Sequence, residues 1–588
     1  MAENNLRSRP AGWLVLILTL ALSFSTSCRN SNTTAQRVSS PSTENVSETR
    51  IPAEVVTPIV TPHQSPGLFE FAPQHGLEWK YENGEAAGVC SILESLGGGA
   101  GLLDFDRDGW LDVFFTGGGK FELPRTIGGM PNGLFRNLGQ WQFSAVAQPS
   151  GIASAAYYTH GVAAADADND GFTDVLVTGY GGVQLFHNQG DGTFYESAEI
   201  FGLHDCLWSS SAAWADLNGD GNLDLYICHY VDWSFDNHPY CAGPTPEQRE
   251  ISYPKDFSGL KDTLYLNNGD STFSDASETW QLVDGGKGLG VIIGDLNADG
   301  RPDIYVANDT TDNFLYLNEG QKLVECGVSS GVARDDDGVP NGSMGVDLCD
   351  FNGDLLPDLW AANYERETFA LYRNEGNNLF LHVSRPTGIT ALGGLFVGFG
   401  TAFTDADGDG DMDVLVANGH VIKYPKFTKR KQKPLLLINE RNRFSLAKHP
   451  GNYFDEIHEG RGLTLGDLDN DARPDVVISN MNEPVACLRS TLTKKDSDGF
   501  LVQLIGRFSN RDAVGARVLI QCAEGKLTGL INGGGSYLSS RDTRMSIQIP
   551  KAWHPEHLEV RWPTGQTQGV SWTDINGQSL TLVEPLQR

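Results

Sequence analysis

The chain has 588 residues, with 43 Lys and Arg against 75 Asp and Glu and a formal net charge of −32 at pH 7. Acidity on that scale disfavours a protein that grips a nucleic-acid backbone, which shows a basic face. Hydrophobic residues at 40% are enough for a packed core, and 68 glycines without a collagen period point to a turn-rich β architecture.

Residues 1–28 read as an export signal. Arg7 and Arg9 precede an apolar run from Trp13 to Leu22 that is too short to span a bilayer, and Ser25-Thr26-Ser27 leads to Cys28. A signal ending on cysteine resembles that of a bacterial lipoprotein, which implies lipidation of Cys28; plain secretion is the alternative. Any membrane association is then through that lipid anchor. Residues 29–66 are rich in Ser, Thr, Asn and Pro and predict a flexible tether. The other eight cysteines include no CxxC pair; Cys206, Cys228 and Cys241 are near enough in sequence to contain one bridge, and the rest read as buried thiols.

From residue 67 to 490 the chain repeats itself. The pattern D-x-[DN]-x-D-x-x-x-D occurs seven times. Its positions 1, 3, 5 and 9 are Asp104, Asp106, Asp108, Asp112; Asp166, Asp168, Asp170, Asp174; Asp216, Asn218, Asp220, Asp224; and Asp295, Asn297, Asp299, Asp303. The last three copies are Asp350, Asn352, Asp354, Asp358; Asp405, Asp407, Asp409, Asp413; and Asp467, Asp469, Asp471, Asp475. A hard cation such as Ca²⁺ takes six to eight oxygens at about 2.3–2.6 Å, and a curled loop offers them at this spacing. An EF-hand would need Glu at position 12, where this chain has Phe115, Val177, Ile227, Val306, Ala361, Val416 and Ile478. Up to seven Ca²⁺ sites between β-strands are therefore expected.

Each repeat carries further strand-like segments. A small-residue stretch such as Gly288–Ile293 precedes the loop, a run ending in Asn (137, 188, 267, 318, 374, 439) follows it, and a fourth segment opens at Phe143, Phe194, Phe273, Leu323, Phe380 or Phe444. Four strands per repeat describe a propeller blade. The seventh repeat lacks its fourth segment, whereas a stray copy stands at Phe69–Leu77, so the N-terminal strand is expected to complete the last blade. The fold class predicted is all-β: a seven-bladed β-propeller with calcium-binding blade loops, followed by a small β-sandwich-like domain.

These repeats resemble the FG-GAP/VCBS repeats of integrin-α-like propellers, a resemblance that implies calcium in each blade loop and extracellular adhesion or ligand binding. Two loops depart from it, with Leu355 and Ala472 in place of the turn glycine. Residues 496–588 resemble the ASPIC/UnbV domain in three phrases, which begin at Ser509, Gly535 and Arg561; the whole chain is similar to the cartilage-acidic-protein/UnbV family. Arg511, Arg517, Arg541, Arg544 and Arg561 are expected either to pair with aspartates or to form an anion or partner site.

No HExxH, GxSxG, P-loop or GxGxxG signature is present, so no catalytic residue or organic cofactor is expected. His160, His187 and His420 read as packed or hydrogen-bonded. The predicted function is an exported calcium-binding module at the cell surface or outside the cell, for a protein or glycan ligand. A structural scaffold, or an enzyme with a site at the propeller funnel, is the alternative. The long insertion Val231–Leu260 carries Trp233, Phe235 and Tyr240 as candidate ligand contacts, or else caps the ring. The basic run Lys423–Lys433 reads as a solvated loop.

Overall fold

A computed structural model describes residues 67–586, Leu123 excepted. The signal-like segment, Cys28 and the tether lie outside the described residues. Each repeat folds as a four-stranded antiparallel sheet, and seven such sheets lie among the described residues. Blade 1 is Ala100–Leu103, Asp112–Phe115, Gly133–Asn137 and Phe143–Ala145, and blade 4 is Gly288–Gly294, Asp303–Asn308, Phe314–Asn318 and Leu323–Glu325. The first two strands of a blade are buried on both faces, because neighbouring blades stack against each side. They read accordingly as continuous apolar runs rather than alternating ones.

The ring closes as the repeats predict. Phe69–Phe71 is the outermost strand of blade 7, antiparallel to Ala486–Ser490 in the register Phe69↔Ser490 to Phe71↔Leu488. The inner strands of blades 1 and 7 lie side by side, as do those of every other neighbouring pair. Glycines on these strands permit close approach: a Cβ on Gly290 would stand 2.1 Å from the Met344 carbonyl oxygen in the next blade.

Residues 497–583 form two packed sheets. Ser497–Ile505 lies between Met545–Pro550 and, in parallel, Ser579–Val583; the second sheet runs Lys526–Leu530, Arg517–Cys522, Pro555–Arg561 and Thr567–Ser571. Phe500, Val518, Ile520, Ile547, Leu558 and Trp562 fill the space between them.

One link between the two parts is absent from any strand pattern. Gly533–Gly534 adds to the inner strand of blade 4, pairing Ile292↔Gly534. The chain from 533 to 540 then runs inside the propeller ring.

Candidate metal centres and the channel plug

All seven aspartate loops connect the innermost strand of a blade to the second, so they share one face of the ring. The position-1 carboxylate folds the loop around itself, its Oδ2 accepting the position-6 N–H at 2.8–3.0 Å in every copy. The position-9 Oδ1 accepts the N–H of the residue ending the third strand, Asn in six blades and Ser490 in blade 7, at 2.7–3.0 Å. Leu355 and Ala472 take the turn at φ 74° and 64° and keep the same bond. A non-Gly residue in that region costs about 1–2 kcal/mol, but the loop geometry survives.

The repeated asparagine was visible in the sequence, but its task was not. In six blades its Nδ2 also donates to a carbonyl in the preceding blade's loop, at 2.8–3.1 Å. Asn188 thus holds the Phe105 carbonyl, and Asn439 that of Phe351. These bonds tie loop to loop around the ring.

A test of fit to a cation is whether any oxygen lacks a donor. Asp106 Oδ1, Asp166 Oδ1, Asp407 Oδ1 and Asp469 Oδ1 are buried without a hydrogen-bond partner, one in each of loops 1, 2, 6 and 7. In the same four loops, acid oxygens converge within 4.8 Å of one another. In loops 3, 4 and 5 the position-3 asparagine instead donates to the position-5 aspartate, as Asn218 does to Asp220 at 2.9 Å. Oxygen-only donors at this spacing fit a hard divalent cation. Burial pushes the Asp112 carboxyl up to about 9, those of Asp166 and Asp358 to about 8 and those of Asp224, Asp303 and Asp467 to about 7, a cost that a bound cation would offset.

Two loops have extra basic company. Arg136 Nε lies 2.5 Å from Asp106 Oδ2 and its Nη2 is 2.9 Å from Asp108 Oδ2. His187 Nδ1 lies 3.1 Å from Asp174 Oδ1. Neither residue was singled out from sequence as part of a loop.

The C-terminal domain covers this loop face. Asp512 accepts the Asp166 N–H at 2.8 Å, the Arg511 N–H donates to Asn169 at 3.0 Å, and Ser546 and Gln548 both donate to the Ala472 carbonyl. Its loop 533–540 enters the ring and bonds the inner strand of every blade. Leu102, Val162, Val346 and Thr401 donate backbone N–H groups to it, Leu463 accepts from Ser536 Oγ, Ser211 Oγ accepts from the Leu538 N–H, and Gly535 donates to Val291. A Cβ on Gly99 would stand 1.6 Å from the Leu538 carbonyl oxygen, so the plug leaves no free bore there. Tyr537, fully buried, reaches the Leu96 carbonyl near the far mouth.

That mouth is covered by the insertion. Trp233 is only 2% exposed and packs with Tyr81, Tyr158, Trp208 and Leu538 in one apolar cluster, so it is a lid residue rather than a free ligand contact. Phe235 is half-buried between Phe121 and Trp233, and Tyr240 alone of the three stands out, at 68% exposure. The basic run is part strap and part solvated loop, with Lys423 and Arg430 half-buried and Lys426, Lys429, Lys431 and Lys433 exposed. Lys423 pairs with fully buried Glu94, Arg430 with Glu85 and Glu459, and Lys431 with Glu483. His160 and His420 are buried. No bridge forms among Cys206, Cys228 and Cys241, since Cys228 turns into the wall beside Gly288 and Gly290 while Cys206 is exposed. Among the arginines, Arg541 pairs with Asp347 at 2.7 Å, Arg544 with Asp542 at 2.9 Å and Arg511 with Asp166 at 3.8 Å.

Comparison with known proteins agrees with this architecture. The FG-GAP-like repeat model matches residues 104–177, 166–227, 258–306, 295–361 and 350–416, and the ASPIC and UnbV model matches 506–588. Cartilage acidic protein 1 of Xenopus tropicalis is 23% identical over 445 residues, covering 71% of this chain and 63% of the relative. The human protein of that name is 23% identical over 461 residues, with 72% and 63% covered. The chain thus spans somewhat under two thirds of those relatives. Among solved structures, an Agrocybe aegerita lectin described as recognising non-reducing terminal N-acetylglucosamine shares 15% identity over 66% of this chain and 87% of its own, at a TM-score of 0.37. The V. cholerae biofilm matrix protein Bap1 shares 12% identity over 85% of this chain and 63% of its own, at 0.28. The chain belongs to the proteins that join FG-GAP-like repeats to a C-terminal ASPIC and UnbV domain.

Proposed function

We propose that this protein is an exported, calcium-stabilised propeller that serves as an extracellular or cell-surface binding module for a protein or glycan ligand, held at the envelope through Cys28. The observation that carries the calcium part is the set of buried, partnerless aspartate oxygens in loops 1, 2, 6 and 7. Loops 3, 4 and 5 keep the same backbone frame, including the one with Leu355, and are assigned weaker sites because their asparagines already satisfy the position-5 carboxylates. The plug closes the bore beside Gly99 and the lid closes the far mouth, while a cavity of about 380 Å³ remains between the inner strands of five blades and residues 526–548, so a funnel site for the enzyme alternative stays open. Tyr240 at the lid surface is the remaining aromatic contact for a ligand.

The test has two stages. Calorimetric titration of metal-stripped protein should show several calcium equivalents, and a glycan and protein array should light up with calcium and darken without it. A flat titration together with an unchanged melting temperature would sink the calcium assignment; turnover of a substrate by purified protein would favour the enzyme alternative. For the anchor, Cys28→Ser should shift the protein from the membrane fraction to the soluble one, whereas a mature N-terminus at any other residue would refute lipidation.

A further inference from the structure

Arg517 and Arg561 are the two arginines of the C-terminal group left without a carboxylate. They are direct cross-strand partners on Arg517–Cys522 and Pro555–Arg561, so their side chains leave the same face of the sheet. Like charges in that arrangement repel, and among the described residues neither guanidinium has a hydrogen-bond or salt-bridge partner. Both line a cleft of about 240 Å³ between that sheet and loops 3 to 5. The fit is close: a Cβ on Gly300 of loop 4 would stand 3.3 Å from Arg561 Nη2. Burial pulls the Arg517 guanidinium below its usual range, with Asp350 opposing and Arg561 adding to the effect, while Arg561 itself stands exposed at the cleft edge.

The charged lining is balanced only without metal. Asp216, Asp295 and Asp350 face Arg301, Arg517 and Arg561, and Arg301 is already bonded to Asp299 and the Asn318 carbonyl. The three aspartates are the position-1 ligands of their loops. A divalent cation in each loop would absorb their charge and leave two fork-shaped donors facing the cleft with no counter-ion. Paired guanidinium forks suit an oxyanion.

We infer that Arg517 and Arg561 form an oxyanion site, taking one carboxylate, sulfate or phosphate group, and that the site is created when calcium fills the adjoining loops. This rests on the calcium reading above. The cleft admits one such group on a ligand the size of a sugar or an amino acid, at the seam between the two parts of the protein.

The test uses the full chain. Calcium is titrated first, and a flat trace at that step fails the calcium reading by itself, before any anion is added. Calcium-loaded protein is then titrated with sodium sulfate against matched chloride, with phosphate and acetate as parallel arms that tell the tetrahedral anions from a carboxylate. Saturable binding of one equivalent is expected, at least tenfold weaker in R517Q/R561Q and in calcium-depleted wild-type protein. R517K/R561K keeps the charge without the fork and should fall between. Removing the repulsion should leave the melting temperature of R517Q/R561Q in chloride unchanged or higher. The inference is overturned by a flat anion titration of calcium-loaded protein, by equal binding in the glutamine variant, or by binding indifferent to calcium. A lower melting temperature in chloride with no anion effect would likewise overturn it, making the pair a counter-charge to the loops.

Discussion

His160 sits fully buried inside the ring, its Nδ1 3.0 Å from the Gly97 carbonyl oxygen and its Nε2 without a partner. Burial pulls its pKa down from 6.5 to about 4. Between those values the unfolded chain binds the proton and the folded one does not, so this contribution to stability is present at neutral pH and is lost as pH falls from about 6.5 toward 4. At about 1.4 kcal/mol per unit the loss comes to roughly 3 kcal/mol. Urea melts at pH 7, 5.5 and 4.5 should show it, and His160→Gln should flatten the slope; an unaltered slope would assign the acid sensitivity to other groups. In the loops, Asp405→Ala removes the acceptor for the N–H groups of Gly408, Asp409 and Gly410. With bonds to a charged group worth about 1.5–3 kcal/mol each, a loss of several kcal/mol is expected. Asp350→Ala costs a similar set of backbone bonds, to Gly353, Asp354 and Leu355. Calorimetry should separate the two: the Asp405 variant loses a tight calcium equivalent, whereas the Asp350 variant loses a weaker one that fills only at higher calcium.

The plug and the lid are the elements that close the bore, leaving a cavity of about 380 Å³ between the inner strands and residues 526–548. Ser536 and Leu538 hold φ at 58° and 55°, conformations that persist only because bonds to every blade over-determine them. Tyr537 fills the narrow end, against Phe399 at 4.9 Å between ring centroids. Tyr537→Ala should therefore lower stability by about 3–5 kcal/mol, measured by denaturant melts, as aromatic truncations in a packed core do. Trp233→Ala should cost about as much for the same reason. Tyr240→Ala should leave the melt within about 0.5 kcal/mol, since that ring is exposed, and should weaken ligand binding on the array instead. A large stability loss at Tyr240 with intact binding would make the whole insertion a cap.

For the whole molecule, calcium and the C-terminal domain are expected to stabilise the same object. Ligand bound only to the folded state adds about 1.4 kcal/mol per site at ten times Kd, so a few sites supply a large share of a margin of about 5–15 kcal/mol. Thermal melts should climb with calcium and drop on chelation. Because the C-terminal domain lies across the loop face and sends 533–540 through the ring, a chain ended after residue 490 loses bonds to all seven inner strands at once. That truncation should melt well below the full chain and expose apolar surface to a hydrophobic dye. Equal melting would show that the propeller needs no plug.

The strand order, the blade count and the closing strand were legible because each depends on local spacing: aspartates at fixed offsets, apolar runs of strand length and a displaced copy at Phe69–Phe71. The aspartate loops were legible for the same reason, since their carboxylates lie within nine residues of chain. Gly535-Ser536-Tyr537-Leu538-Ser539-Ser540 also stood out as a phrase, yet nothing in it says that it fills a channel whose walls are contributed by residues 100 to 465. Trp233 and Tyr240 are both aromatic residues on one insertion, and only packing separates the buried ring from the exposed one. The same holds for the arginines, of which three found aspartates and two did not. Repeating local chemistry was written in the sequence. Burial and charge pairing across hundreds of residues were decided by the tertiary structure, because they depend on which surfaces meet.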